Sequence, residues 1–408
     1  MTDSFPASST PYDVAVVGAG IVGLAVAREL LLRRPASRVV IFDMEQAVAA
    51  HQTGHNSGVI HSGIYYTPGS LKAQLCVEGS KLMYEYCAAH GIPFERCGKL
   101  IVATKESELP RLDALEARGV ANAVPGLRRV TAAGIREIEP ACRGISALHS
   151  PNTGIVDYGA VARALEAELR SMGAVFRLGT RVSGLEREGE VTLLHHGDGQ
   201  TRARWAVACA GLWSDRLATA SGAPDDPRIV PFRGAYLKVA DPERQIVRGM
   251  VYPVPDPELP FLGVHITRQL DGGVLLGPTA MVVGARDAYR LSRIRVGDLR
   301  STLLWPGTWR VGARFWRTAA NEVRLAASAR AFMAACAQYI PALRTMKPGP
   351  GRAGVRAQAV GRDGTLVDDF VISETAGVTH VRNAPSPAAT SSLALARNLV
   401  DRFEHRLG

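Results

Sequence analysis

A complete dinucleotide-binding motif lies near the start of the chain and constrains its fold more than any other feature. The apolar run Val14–Val17 is followed by Gly18, Gly20 and Gly23 in Gly-x-Gly-x-x-Gly spacing. In this motif the first glycine permits a tight turn, the second lets a pyrophosphate approach the backbone, and the third lets helix and strand pack closely. The phosphates then lie at the helix N-terminus, where free N–H groups and the helix dipole favour anions.

The same motif carries an acidic residue at the position that recognises a ribose. Val39–Phe42 predicts the second strand, and Asp43 follows Gly23 by 20 residues. A carboxylate there accepts a hydrogen bond from the adenosine ribose and disfavours a 2′-phosphate. Because both strands and the acid are in register with the glycines, the segment predicts a bound dinucleotide rather than a plain buried βαβ unit.

Length and pattern predict an α/β protein with an α+β substrate domain. A chain of 408 residues exceeds what one hydrophobic core usually serves. The strand-rich stretch 229–285 predicts an antiparallel substrate-binding sheet. The C-terminal part returns to strand and helix signals, so the Rossmann-like domain is expected to be discontinuous. We predict a nucleotide domain of residues 12–85, 150–222 and 350–408, and a substrate domain of residues 86–149 and 223–349.

The N-terminal segment has no targeting pattern. Residues 1–11 contain neither an apolar signal core nor an arginine-rich transit pattern, and we interpret them as a flexible N-terminus. The longest apolar stretch, Val14–Ala27, is too short to span a bilayer and already belongs to the nucleotide motif.

Charge restricts the partners of the chain. The formal net charge is +10, and 42 of the 48 basic residues are arginines that form no basic block. Without a basic run interleaved with aromatic residues, nucleic-acid binding is not expected. A basic surface suits an acidic substrate or a peripheral contact with an anionic membrane.

Cysteine usage argues against metal binding and disulfides. The six cysteines show no Cys-x-x-Cys or Cys/His metal spacing. Reduced thiols are therefore expected, and with them a cytoplasmic location, with the inner face of a bacterial membrane as the alternative.

Several segments resemble one enzyme family. Besides the opening motif, they are His51–Tyr66, Ala208–Asp215, Val230–Tyr236 and Arg382–Ser392. These segments resemble the FAD-dependent L-2-hydroxyglutarate dehydrogenases and oxidases of the D-amino-acid-oxidase-like superfamily. The resemblance runs from about Tyr12 to the C-terminus. Many relatives carry Glu where this chain has Asp43, but both side chains accept a ribose hydrogen bond.

The resemblance implies bound FAD, and the glycine-bearing strand end at Ala210–Gly211 is consistent with a cofactor that stays enclosed. The final helix begins in a segment rich in N-cap residues, and its N-terminus suits the negative charge of a reduced flavin. The residues expected to contact FAD are Gly18, Gly20, Ile21, Val22, Gly23, Asp43, Thr53, His55, Asn56, Ser57, Gly58, Val182, Ala210, Gly211, Arg356, Asn383, Pro385 and Ser386.

The reaction that the resemblance implies is oxidation of L-2-hydroxyglutarate to 2-oxoglutarate by hydride transfer from C2 to flavin N5. Such a reaction needs a base for the hydroxyl proton and cations for the carboxylates. His61 is the first candidate for the base and His265 the second. Arg356 resembles an arginine that holds the substrate carboxylate in glycine-oxidase-like enzymes, because a guanidinium binds carboxylates bidentately. Tyr66 and Tyr252 are candidate hydroxyl donors.

Several alternatives remain open from the sequence. A related flavin enzyme could act on another 2-hydroxy acid, an amino acid or glycerol-3-phosphate, and a flavin-bearing protein without turnover is the rival outside enzymes. The electron acceptor is O2 or a quinone. Covalent flavin attachment through His55 or a cysteine has no clear signal.

Overall fold

The computed structural model describes residues 10–241, 246–257, 259 and 261–407. Most of the predicted flexible N-terminus, residues 1–9, lies outside this part. The strands are β1 (Tyr12–Val17), β2 (Val39–Phe42), β3 (Val59–Ile60), β4 (Phe94–Glu95), β5 (Lys99–Ala103), β6 (Arg128–Thr131), β7 (Ser146–Ser150), β8 (Gly154–Val156), β9 (Val175–Arg177), β10 (Val182–Glu188), β11 (Val191–His196), β12 (Gly199–Ala208), β13 (Arg228–Ala240), β14 (Met250–Pro253), β15 (His265–Arg268), β16 (Gly273–Gly277), β17 (Met281–Val282), β18 (Gly349–Val360), β19 (Val371–Thr375) and β20 (Val378–Asn383).

The α-helices are α1 (Ile21–Arg33), α2 (Leu71–Ala89), α3 (Leu109–Ala121), α4 (Ala132–Ile138), α5 (Tyr158–Ser171), α6 (Ser214–Ala220), α7 (Val296–Leu303), α8 (Pro306–Arg314), α9 (Trp316–Ala327), α10 (Ala329–Ala337) and α11 (Ala388–Phe403). Single 3₁₀ turns occur at Glu106–Glu108, Gly211–Trp213, Pro341–Thr345 and Glu404–Arg406.

The first sheet has eight strands and contains the predicted nucleotide motif. Its order is β10-β11-β12-β1-β2-β9, with β20 beside β12 and β19 beside β20. The strands β9, β2, β1, β12 and β20 run parallel. Along β1, Val14 and Val16 face one hydrophobic cluster and Ala15 and Val17 face another, because successive strand side chains point to opposite faces. Burial on both faces explains the uninterrupted apolar run in the sequence.

The second sheet has nine strands and forms the predicted substrate half. Its order is β17-β13-β16-β15-β14-β5-β7-β6, with β18 along β13. All pairs are antiparallel except β14 with β5. Strands from both predicted parts of the substrate domain therefore join in one sheet. A three-stranded sheet, β3-β8-β4, comprises the remaining strands.

Two predicted domain boundaries do not match this arrangement. The range 350–408 was assigned to the nucleotide domain, but β18 pairs with β13 from Lys238 to Arg228 and so belongs to the second sheet. The boundary after residue 85 divides α2, a continuous helix whose N-terminus is capped by the Ser70 hydroxyl. Helical periodicity does show the extent of α2, but strand pairing between distant segments is decided only in the folded chain.

A buried ion pair connects the two halves of the molecule. Arg286 pairs with Asp215 of α6, and both side chains are almost fully buried. The same carboxylate accepts a hydrogen bond from the Ile229 backbone N–H at 3.0 Å, at the beginning of β13. Because a buried charge without its partner is costly, this pair fixes α6 of the first half against the second sheet.

Candidate active site

One cavity of about 540 Å³ extends from the glycine-rich turn to the second sheet. Its lining comes from the turn after β1, the loop 51–57, the end of β12, strands β13 and β18, and the first turn of α11. Of the residues predicted to contact a cofactor, most lie along this cavity. They are Gly18, Gly20, Ile21, Val22, Gly23, Asp43, Thr53, His55, Asn56, Ser57, Val182, Ala210, Gly211, Arg356, Asn383 and Ser386.

The glycines of the turn are required by close backbone packing. Gly18 has a φ of +114°, and a Cβ atom there would collide with the Cys209 carbonyl. A Cβ atom on Gly23 would collide with the Gly18 carbonyl, so only glycine lets α1 pack against the turn. At Gly20 the nearest atom to an added Cβ is the Thr53 hydroxyl, at 3.3 Å. Gly20 also lines the cavity, so its backbone is accessible to a ligand there.

Asp43 links the turn to the second strand of the motif. One carboxylate oxygen accepts from the Ala19 N–H at 2.7 Å and the other from the Glu45 N–H at 2.9 Å. Burial raises the pKa of Asp43, and the two backbone hydrogen bonds oppose that shift. Since each carboxylate oxygen has a second lone pair, Asp43 retains the capacity to accept from a ribose hydroxyl.

The loop after β2 is held by its own polar side chains. The Thr53 hydroxyl accepts from the Ile21 N–H at 3.0 Å, at the N-terminus of α1. The Asn56 amide donates to the Thr53 carbonyl at 2.6 Å, and its oxygen accepts from the Gly58 N–H at 2.8 Å. Gly58 and Pro385, both predicted to contact the cofactor, do not line the cavity. Gly58 instead adopts a φ of +76°, and a Cβ atom there would lie 2.7 Å from the Val156 carbonyl oxygen.

Aromatic rings close one side of the cavity beside the second sheet. The ring of His55 stacks on Tyr289 with centroids 4.0 Å apart, and its Nδ1–H donates to the Ala353 carbonyl at 3.2 Å. His51 packs against Trp213 at 4.8 Å. Of these residues, His55 was a predicted cofactor contact, and His51 and Trp213 lie within the segments His51–Tyr66 and Ala208–Asp215. Tyr289 had no sequence signal, because only folding brings it to the loop.

The N-terminus of α11 and the end of β20 face the cavity from the C-terminal part of the chain. Ala388, Ala389 and Thr390 of the first helical turn line it, as does Asn383. The amide of Asn383 donates to the Asp369 carbonyl at 2.9 Å, while its buried oxygen has no partner among the described residues. The unpaired Asn383 oxygen requires a hydrogen-bond donor from a ligand, whereas the helix N-terminus beside it favours a negatively charged group.

His61 lies next to β3 and borders the cavity. Its backbone N–H donates to the Thr390 hydroxyl at 3.1 Å, and Thr390 shares a hydrogen bond of 2.9 Å with the Tyr158 hydroxyl. Its imidazole has no hydrogen-bond partner among the described residues, and Nδ1 is fully buried. Burial, together with the positive charges of Lys99 and Lys72, holds the pKa of His61 well below its ordinary value. The imidazole is therefore neutral at pH 7 and able to accept a proton.

Arg356 presents an unpaired guanidinium to the same cavity. It lies on β18 opposite Phe232 of β13. Its guanidinium stacks at 4.5 Å over the ring of Phe261 and has no ion pair or hydrogen bond within the described part of the chain. Burial lowers the pKa of Arg356, yet an arginine remains charged at neutral pH. An unpaired guanidinium in a cavity is suited to bind a carboxylate.

The other predicted catalytic residues form a layer behind the cavity. His265 and Tyr252 stack with centroids 4.1 Å apart on neighbouring strands β15 and β14. The Nδ1–H of His265 donates to the Gly263 carbonyl at 3.0 Å, and burial lowers the pKa of His265 to about 3. Tyr66 lies beneath the ammonium of Lys72, at 4.9 Å from the ring centre. None of these three residues lines the cavity, so His61 and Arg356 are the predicted catalytic groups in direct contact with it.

A dinucleotide motif and a second sheet that share one cavity define a class, the nucleotide-dependent oxidoreductases. A family model described as FAD dependent oxidoreductase matches residues 13–402. The mitochondrial L-2-hydroxyglutarate dehydrogenase of Nematostella vectensis is 47% identical, and the alignment covers 98% of this chain and 91% of that protein. The L-2-hydroxyglutarate dehydrogenase of Indibacter alkaliphilus is 42% identical, with 94% and 96% covered. The chain therefore belongs to the FAD-dependent oxidoreductases and, within them, to the L-2-hydroxyglutarate dehydrogenase family.

Solved structures share the fold at lower sequence identity. L-alpha-glycerophosphate oxidase from Mycoplasma pneumoniae superposes with a TM-score of 0.76 at 22% identity, covering 97% of this chain and 95% of that one. Glycine oxidase from Geobacillus kaustophilus gives a TM-score of 0.72 at 19% identity, with the same coverage. The predicted fold class, the family resemblance and FAD as cofactor are thus confirmed.

Proposed function

We propose that this chain oxidises L-2-hydroxyglutarate to 2-oxoglutarate. The single observation that carries the proposal is an unpaired guanidinium, Arg356, in the same cavity as a neutral, unpaired imidazole, His61. The names of relatives that are 42–47% identical over nearly the whole chain support this choice of substrate.

The residues along the cavity fit bound FAD. Gly20 leaves room for a pyrophosphate, Asp43 can accept from the ribose, and Asn383 with the first turn of α11 offers polar contacts at the other end. When bound, FAD supplies the acceptor for the hydride from C2 of the substrate.

The side chains of this chain would then bind the substrate and remove one proton. Arg356 would hold the carboxylate next to C2 with two parallel hydrogen bonds, which fixes the orientation of the C2–H bond. The neutral imidazole of His61 would accept the hydroxyl proton as the C–H bond breaks. The arriving dianion offsets the positive charges around His61, which raises the pKa of His61 and makes it a stronger base.

The stereochemistry of the substrate gives a direct test. We expect anaerobic holoenzyme to lose its flavin absorbance on addition of L-2-hydroxyglutarate and to keep it with the D enantiomer. Glycine, L-proline and glycerol-3-phosphate serve as controls for the alternative functions. Bleaching by one of these controls but not by L-2-hydroxyglutarate would contradict the proposal, and no bleaching by any of them would favour a flavoprotein without turnover.

We also propose that the protein is cytoplasmic and contacts an anionic membrane through helices α7–α9. Five large apolar side chains on this segment are more than half exposed: Val296 (80%), Leu304 (65%), Trp309 (63%), Trp316 (61%) and Val323 (53%). The surrounding stretch 290–330 contains nine arginines and two acidic residues. Exposed tryptophans among arginines suit an interface of apolar chains and anionic headgroups. No helix within the described residues has the length and apolarity needed to cross a bilayer.

A membrane contact bears on the electron acceptor. A quinone dissolved in the bilayer would reach an enzyme on its surface, whereas O2 requires no such position. We therefore favour a quinone over O2, and comparing the rates at which a soluble quinone and O2 reoxidise the reduced flavin tests this choice.

A further inference from the structure

Lys99 is a buried ammonium without an acidic partner. It is the first residue of β5 and only 2% exposed. Its Nζ lies 4.9 Å from the ring centre of Tyr65 and 4.6 Å from that of Tyr252. Among the described residues, no carboxylate, carbonyl or hydroxyl accepts a hydrogen bond from this ammonium.

The two aromatic rings do not compensate for the burial of this charge. A ring face attracts a cation, but it offers no oxygen or nitrogen acceptor to replace the hydrogen bonds that the three ammonium N–H groups lose on leaving water. Burial lowers the pKa of Lys99 to about 8, so the side chain is still mostly protonated at pH 7. A protonated, buried and unpaired lysine indicates that an anion binds next to it.

Lys99 does not line the cavity itself but lies in the layer behind it, next to Tyr252, and its charge acts on the predicted catalytic groups. Its charge lowers the pKa of His61, which borders the cavity, and that of His265. The charge of Arg356 also lowers the pKa of His265, so both cations act on this one imidazole. Tyr252, which stacks on His265, is one of the two rings beneath the ammonium.

Unsatisfied polar atoms in the same place also indicate a ligand. The Tyr65 hydroxyl and His61 Nδ1 are both fully buried and lack hydrogen-bond partners in the part of the chain that the structure describes. Buried polar groups in native proteins are nearly always paired, so neighbouring exceptions call for a bound group. The nearby Lys72 differs, because its Nζ donates to the Asp368 carbonyl and carboxylate, both at 2.8 Å.

We propose that Lys99 binds the distal carboxylate of the substrate, while Arg356 binds the carboxylate next to C2. This inference rests on the proposed oxidation of L-2-hydroxyglutarate and assigns its selectivity for a dicarboxylate to one residue. Monocarboxylic 2-hydroxy acids would leave the Lys99 ammonium buried and unpaired, which disfavours them.

The test compares two substrates that differ only at the distal end. L-2-hydroxypentanoate has the same carbon chain as L-2-hydroxyglutarate but ends in a methyl group. In Lys99→Met, we expect the ratio of kcat/KM for the dicarboxylate to that for the monocarboxylate to fall on the order of 100-fold, as for a removed partner of a buried charge pair. The ratio should fall because kcat/KM decreases for the dicarboxylate, while kcat/KM for the monocarboxylate stays unchanged.

Lys72→Met is the matched control. It also removes a buried ammonium whose charge lowers the pKa of His61, but this ammonium already has an acidic partner. We expect it to preserve the substrate ratio, whatever it does to the absolute rates. If Lys99→Met lowers kcat/KM equally for both substrates, the proposal is wrong. Should Lys99→Met fail to retain FAD, Lys99→Gln takes its place in the same comparison.

A binding measurement separates this inference from the proposed function. Oxidised holoenzyme is titrated with glutarate and with pentanoate, and the flavin spectrum reports binding without turnover. A preference for glutarate that disappears in Lys99→Met supports the Lys99 site even if L-2-hydroxyglutarate is not oxidised. The same preference in both proteins, or none in the wild type, overturns it.

Discussion

At the scale of single residues, the site is defined by polar groups that the protein leaves unpaired. The imidazole of His61 and the guanidinium of Arg356 have no partners among the described residues, although both side chains are partly buried in the cavity wall. By contrast, the buried guanidinium of Arg286 is paired with Asp215. An unpaired buried polar group raises the free energy of the empty protein, and a bound substrate that pairs with this group lowers it again.

The role of His61 leads to a prediction about rate and pH. In His61→Gln, anaerobic flavin reduction by L-2-hydroxyglutarate should slow by about 10²–10⁴-fold, the usual contribution of a general base. Because the pKa of His61 lies well below 6.5, wild-type kcat/KM should stay level as the pH falls from 7.5 to 6.5. It should decrease only at lower pH, where His61 gains a proton and can no longer accept one.

Stopped-flow absorbance at several pH values measures this effect, with the flavin content of each protein as the control for folding. A variant that keeps its FAD and reduces it at the wild-type rate would exclude His61 as the base and leave His265 as the next candidate.

At the scale of elements, strands and helices from distant parts of the sequence each bring one surface to the cavity. The turn from β1 to α1 supplies the closely packed backbone of Gly18 and Gly23. Strand β18 supplies Arg356, and helix α11 supplies its N-terminus. Thr390 in that first turn accepts from the His61 backbone, which connects α11 to the loop after β3. Cofactor and substrate groups are thus positioned by the same helix.

Helix α1 offers a test of the cofactor site. Gly23→Ala should abolish or strongly reduce FAD retention, because the new Cβ atom would push α1 away from the Gly18 carbonyl. Gly312→Ala is the matched control: it also lies within a helix, but no atom lies within 4 Å of an added Cβ. The flavin-to-protein absorbance ratio after purification measures both, and an unchanged ratio in Gly23→Ala would contradict the packing argument.

At the scale of the whole molecule, positive charge is concentrated in two places with different surroundings. Inside, Arg356 lines the cavity and Lys99 lies buried behind it, an arrangement that suits a small dianion. Outside, the arginines of residues 290–330 surround exposed tryptophans. The net charge of +10 is therefore compatible with two anionic partners, one a metabolite and the other a lipid surface.

The outer surface predicts a lipid-dependent association. The protein should float with vesicles that contain an anionic phospholipid at low salt, and bind weakly to zwitterionic vesicles or at high salt. Replacing both Trp309 and Trp316 by Ser should reduce flotation about tenfold or more, given the apolar area they would bury. Val120→Ser, which alters an exposed apolar residue on α3, is the control. Equal flotation of the two variants would contradict the proposed surface, as would a dimer that buries the tryptophans without lipid.

Local sequence was sufficient for the nucleotide half of the site. The predicted strands around Val14–Val17 and Val39–Phe42 are present. Glycine spacing and apolar runs are local signals, because they reflect a turn and two buried strands close in sequence. The substrate half was predicted less well: His265 and Tyr252 do not line the cavity, and no local pattern marked Lys99 as a site residue.

By itself, the sequence determined that the chain binds a dinucleotide, that it has an α/β fold and which family it resembles, since these depend on spacing within short segments. Only the tertiary structure decided that β18 belongs to the second sheet. It alone also decided that the charges of Lys99 and Arg356 both lower the pKa of His265. These are relations between residues far apart in the sequence. Burial and unpaired charge arise when distant segments meet, and no local pattern encodes them.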